Sequence, residues 1–106
     1  MENKPICKID EYGTKRWYNE DGLYHRLGGP AVQFCHGGEQ WWVDGKLHRL
    51  DGPAKIYSDG DTYWYINDSI ITKEITKWAK ENNIDLGNLT DVDKALIKII
   101  WSNFND

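Results

Sequence analysis

Apolar positions along this chain follow two different patterns. Up to about residue 71 they stand in short runs of strand formers, such as Gln40-Trp41-Trp42-Val43 and Thr62-Tyr63-Trp64-Tyr65-Ile66. Tight-turn pairs punctuate the runs, at Asp44-Gly45 and Asp59-Gly60. From Thr72 onward the spacing is helical. Ile75, Trp78 and Ala79 share one face of a helix predicted over 73–82, with Thr72 as its N-cap. Thr90-x-x-Asp93 reads as a capping box opening a second helix, on which Val92, Ala95, Leu96, Ile99 and Ile100 follow helical spacing. Ile97, Trp101 and Phe104 widen that apolar sector beyond one stripe. The excess suits either tight packing on the strands or a partner or dimer face. The pattern predicts an α+β chain and one domain over 1–106: an antiparallel β-meander over 7–71, capped by two C-terminal α-helices over 72–104.

The strand region repeats itself. His25-Arg26-Leu27-Gly28-Gly29-Pro30-Ala31 returns 23 residues later as His48-Arg49-Leu50-Asp51-Gly52-Pro53-Ala54. A Gly-x3-Trp signal occurs three times, ending at Trp17, Trp41 and Trp64. The first unit carries one extra residue before Gly22, the match of Gly45. In the third, Asn67-Asp68-Ser69-Ile70-Ile71 stands where Asp44-Gly45-Lys46-Leu47-His48 would be, giving about two and a half hairpin units. The end of such an array exposes apolar edges and needs a cap, for which the helical tail is the candidate.

Neighbouring side chains on a strand point to opposite faces. Trp41 shares its face with Val43, and Trp64 with Ile66, so Trp17, Trp41 and Trp64 form the expected inner column. Tyr18, Trp42 and Tyr65 form a second column flanked by Arg16 and Gln40. That column is either covered by the tail or free as a recognition surface, since Tyr, Trp and Arg are favoured interface anchors. Arg26 and Arg49 have two readings as well. They hold phosphate beside stacking aromatics, or they and the histidines brace the links by bonding to turn carbonyls. The candidate partner-binding set is therefore Tyr18, Trp42, Tyr65, Arg16, Arg26 and Arg49.

Charge and composition then exclude classes. The 106 residues carry a formal net charge of −4 and no run of Lys or Arg, which disfavours duplex nucleic acid and anionic lipid. No apolar run approaches the ~18 residues of a membrane span, and residues 1–5 show no secretory signal. Cys7 and Cys35 make no disulfide framework and are expected as reduced thiols in the cytoplasm. No Cys-x2-Cys or His-x3-His spacing supports a metal. Cys35 and His36 are strand neighbours that point apart, so no nucleophile–base pair is evident. Neither a cofactor nor an enzymatic activity is expected.

The run from Trp42 through His48-Arg49-Leu50-Asp51-Gly52-Pro53-Ala54 to Gly60 resembles a MORN-type repeat. Its His-Arg-x-Asp-Gly-Pro-Ala variant is similar to repeats in small proteins of tailed bacteriophages and large DNA viruses. Pro30 and Pro53 depart from the usual MORN Gly-x-Gly pattern. The resemblance covers residues 7–71 and implies a non-enzymatic platform for proteins. It further implies a viral module that binds and inhibits a host protein, such as a defence component, in the host cytoplasm. The alternatives are a nucleotide sponge using the Arg and aromatic side chains, and a MORN-type scaffold with no inhibitory role. A homodimer through the second helix is a further expectation.

Overall fold

A computed structural model describes residues 4–102. The elements run β1 (Ile6–Ile9), β2 (Lys15–Tyr18), β3 (Val32–Gln33), β4 (Glu39–Gln40), β5 (Trp42–Val43), β6 (Lys46–Leu47), β7 (Lys55–Ile56), β8 (Thr62–Tyr63), β9 (Tyr65–Ile66), β10 (Ser69–Ile70), α1 (Thr72–Glu81) and α2 (Asp91–Trp101). The class is α+β, as predicted: an antiparallel sheet in meander order, then two C-terminal helices.

The six-stranded sheet has the order β1-β2-β3-β4-β7-β8. The strands absent from it form two separate hairpins, β5–β6 and β9–β10. Their turns explain the local sequence. Asp44 and Gly45 have φ of 49° and 80°, and Asn67 and Asp68 have 47° and 70°. Two consecutive left-handed residues make the tight hairpin turn that Asn, Asp and Gly tolerate best. In the first unit the extra residue lengthens this loop, and only a Tyr18–Tyr24 bridge remains of the small hairpin.

The backbone bonds recur from unit to unit. Trp17 N–H donates to the Ala31 carbonyl (2.8 Å), and Trp41 N–H to that of Ala54 (2.7 Å). The main sheet ends at β8, so no further strand of it can serve Trp64. Its N–H donates instead to the Thr72 hydroxyl, at 3.0 Å. A buried N–H without an acceptor would cost about 1–3 kcal/mol, so Thr72 closes the array where a carbonyl is missing. This corrects the expected role of Thr72. The α1 N-cap position falls on Ile71, with no side-chain cap bond.

Ile71 marks the same changeover. His25, His48 and Ile71 donate equivalent N–H bonds to the carbonyls of Trp17, Trp41 and Trp64. Where the array has histidine, its end has a fully buried isoleucine. Ile71 joins Trp64, Ile66, Ile75, Ile97 and Trp101 in the core, with Trp78 and Leu50 packed against it. Trp78 meets Trp101 edge-on at 5.2 Å. The tail therefore seats on the Trp64 end of the sheet.

Two expectations change here. The inner Trp column splits, since Trp64 is buried while Trp17 and Trp41 are half-buried. In α2, the Thr90–Asp93 capping box is present. However, the inward side chains are Ile97 and Trp101, whereas Val92, Ala95, Leu96, Ile99 and Ile100 lie exposed. Phe104 lies outside the described residues.

Candidate protein-binding face

The repeated His-Arg motif is engaged within the fold. His25 Nδ1 accepts the Asp44 N–H (3.0 Å), and His48 Nδ1 accepts the Asn67 N–H (3.1 Å). Each histidine thus latches its link onto the turn of the next small hairpin. Burial lowers the His48 pKa below the usual imidazole value, which suits a neutral acceptor. The arginines act differently. Arg26 lies over the Trp17 ring at 4.0 Å and Arg49 over Trp41 at 3.6 Å. Their Nη1 groups donate to the carbonyls of Pro30 and Pro53, each at 3.1 Å. A Cβ on Gly29 would sit 2.7 Å from Arg26 Cζ, and one on Gly52 2.5 Å from Arg49 Cζ. Each guanidinium is thus held between an indole face and a bare glycine. The arginines bond turn carbonyls as the bracing reading expects; the histidines accept an N–H instead.

Arg16 is also engaged. Its Nη1 bonds Asp10 Oδ2 at 2.9 Å. That bond, with the N–H groups of Tyr12 and Thr14, holds the Asp10 carboxyl below the usual carboxylate range despite some desolvation, and raises the Arg16 pKa.

The second column lies on the other side of the sheet. Strand register aligns Lys8, Arg16, Val32, Gln40, Lys55 and Tyr63 in one row. Tyr18, Trp42 and Tyr65, two positions further along their segments, extend it. Tyr24 bridges the first two, with ring centroids 5.4 Å from Tyr18 and 5.4 Å from Trp42. Trp42 Nε1 donates to Gln40 Oε1 (3.0 Å). Lys8 lies over Tyr18 at 5.5 Å and Lys55 over Tyr65 at 5.4 Å. None of these side chains belongs to the core that holds the tail. Most are half-buried, whereas Val32 is buried and Lys8 is exposed.

Near β8 the face ends in a recess of about 330 Å³, lined by Tyr57, Asp59, Asp61, Tyr63, Tyr65 and Ile70. Tyr57 and Tyr63 form its aromatic corner, edge to face at 5.7 Å. Of the six predicted site residues, then, Tyr18 and Trp42 join through Tyr24. Tyr65 stands beyond Lys55, and Arg16 lies in the row between Lys8 and Val32. Arg26 and Arg49 lie apart, stacked on the inner Trp column.

Sequence reasoning missed Tyr24 and the recess. Tyr24 occupies the position of Leu47, but the extra residue before Gly22 sets it six positions from Tyr18, against five from Trp42 to Leu47, and so hides the Tyr18–Tyr24 pairing. Tyr57, Asp59 and Asp61 read as turn residues, and only the β7–β8 register gathers them with Tyr63 and Tyr65.

A second cavity, about 290 Å³, lies between the links and is lined by Arg26, Leu27, Trp41, His48, Arg49 and Lys98 among others. Arg49 Nε bonds Asp51 Oδ1 at 2.9 Å. Arg26 has Gly28 at the corresponding position, so the first unit offers no such carboxylate.

Comparison with family models, with curated proteins and with solved structures returned no match. Among the described residues no three His, Cys, Asp or Glu side chains gather to hold a metal. No described helix is long and apolar enough to cross a membrane.

Proposed function

We propose that this chain is a non-enzymatic protein-binding module whose recognition surface is the aromatic face around Tyr18, Tyr24 and Trp42. The observation that carries this reading is the run of mutually packed rings lying outside the tail's core. Such rings supply contact area at little entropic cost, because their neighbours already fix them. Tyr65 and Arg16 extend the surface, while Arg26 and Arg49 support it from behind as braces. The recess near β8 gives the partner a chemistry. Tyrosine faces beside Asp59 and Asp61 suit a lysine or arginine side chain. A partner with a basic surface, such as a host protein that handles nucleic acid, fits an acidic chain carrying this recess. On this reading the array of about two and a half units is a MORN-like platform. Its resemblance to phage and viral repeats makes host inhibition in the cytoplasm its use. The test is affinity capture from host lysate by the wild-type chain beside Trp42→Ala and Asp59→Asn/Asp61→Asn variants. A stoichiometric protein held by the wild type and lost from both supports the proposal. A catch unaffected by either refutes this face.

The cleft containing Arg26 and Lys98 favours a second reading, a small phosphorylated ligand such as a nucleotide. Thermal shift against nucleotides separates the two. A true ligand at a hundredfold its Kd stabilises the native state by about 2.7 kcal/mol; a flat response removes the sponge reading.

A further inference from the structure

Helix α2 carries an apolar face that the fold does not use. Val92 is 69% exposed, Ile99 73%, Ile100 46% and Leu96 40%. Ala95, also exposed, lies between them. Inward packing is supplied by Ile97 and Trp101 alone. The outer patch is of the order of 400 Å², within the ~300–600 Å² of the largest apolar patch on a typical monomer, which is often functional.

We infer that this face pairs with α2 of a second copy, antiparallel, across a two-fold axis near Ala95 and Leu96. The sequence of the helix is self-complementary in that arrangement. Val92 meets Ile99 of the second copy, and Ala95 meets its Leu96. Asp91 and Lys98 are exposed at opposite ends of the helix and border the apolar stripe on the same side. In an antiparallel pair, flanking positions on the same side face each other, so Asp91 of one copy approaches Lys98 of the other, twice per dimer. A parallel pair would instead set this flank against the opposite flank of the second helix, so Asp91 and Lys98 would lie on opposite rims without meeting, and it would align the two helix dipoles unfavourably. Asp93 and Lys94 are half-buried and do not compete, Asp93 being spent on the Thr90 cap. Ala95 at the centre lets the helices approach closely. The two patches together hide about 800 Å², below the ~1,200 Å² of a standard stable interface. The dimer is therefore a weak, concentration-dependent one. Its interface is separate from the aromatic face, so each dimer presents two recognition surfaces.

Sedimentation velocity from low micromolar to millimolar concentration tests this. The wild type should shift from monomer to dimer. Ile99→Glu should stay monomeric throughout with an unchanged melting temperature, because that side chain touches little of its own fold. Lys98→Asp should weaken the dimer by about tenfold, since it replaces two rim attractions with repulsions. The double variant Asp91→Lys/Lys98→Asp should recover it, which a parallel pairing cannot do. A wild type that stays monomeric at millimolar concentration overturns the inference. So does a dimer that persists in Ile99→Glu, or one indifferent to the Lys98 reversal. Trp42→Ala should leave dimerisation intact, so failure of the proposed recognition face would be seen separately.

Discussion

Replacing Gly52 with alanine tests the bracing role of the repeated motif at one atom. The backbone at Gly52 lies outside the left-handed region, so alanine suits its conformation and only space is at stake. The new Cβ would fall 2.5 Å from Arg49 Cζ, so the guanidinium must leave. Because it ends a flexible side chain, it can swing away, and the cost is capped by what Arg49 gives up. It loses the Trp41 stack at 3.6 Å and the Pro53 carbonyl bond at 3.1 Å, while the Asp51 carboxylate, 2.9 Å from Nε and itself partly exposed, can follow it outward. A partly desolvated cation–π contact is worth about 1–2 kcal/mol and a hydrogen bond to a charged group a net of about 1.5–3 kcal/mol, each toward its low end for a guanidinium that water still reaches. The net expectation is a loss of about 2–3 kcal/mol, or roughly 10 °C in Tm for a domain of this size. In an Arg49→Ala background the clash is gone. There Gly52→Ala should be neutral or stabilising by up to about 1 kcal/mol, through a stiffer unfolded chain. Urea unfolding followed by Trp fluorescence reads all four corners of the cycle. Equal losses from Gly52→Ala in both backgrounds would refute the sandwich.

Three further outcomes follow from the same geometry. Trp64→Ala should cost about 3–5 kcal/mol in chemical denaturation because it empties the core beneath the tail, whereas Trp42→Ala should cost at most about half of that. Acidification should weaken the His48 latch: the folded pKa lies below the unfolded 6.5, so the unfolded chain binds protons first. The contribution is full above about pH 6.5 and is lost as pH falls through the folded value. His48→Asn keeps an acceptor that does not titrate, so its Tm should fall less steeply than that of the wild type between about pH 6.5 and pH 5; parallel curves would show that the latch does not titrate. A fragment ending at residue 71 should aggregate, since it exposes Trp64, Ile66 and Ile71 and leaves the Trp64 N–H without the Thr72 hydroxyl; a soluble fragment with a cooperative melt would show that the tail is no cap.

Much of the fold was legible because its signals are local. Asp44-Gly45 and the glycines before each Trp specify turns through backbone angles, and Thr90 with Asp93 specifies a helix start through two side-chain bonds. The period in the strand region predicted equivalent contacts, and the backbone bonds of Trp17 and Trp41 are equivalent. What stayed hidden depends on which surfaces meet. Thr72 looked like a cap because the need of the Trp64 N–H is visible only once the main sheet is seen to end at β8. The outward turn of Val92 and Ile99 could not be read from helical spacing, which gives two apolar sectors on α2 and does not rank them. Arg26 and Arg49 looked like ligand residues because the glycines that receive them stand three residues further along the chain. Tyr24, the link in the aromatic face, was masked by a single extra residue.

The central claim is a division of labour: the repeated arginines hold the fold, and the aromatic face recognises the partner. The most direct test compares Arg49→Ala and Trp42→Ala for both Tm and affinity toward the captured partner. The account predicts that Arg49→Ala melts earlier yet binds normally well below its Tm. Trp42→Ala should keep most of its stability and lose affinity by about thirtyfold or more, the effect of removing one aromatic anchor. Normal affinity in Trp42→Ala together with lost affinity in folded Arg49→Ala would contradict it.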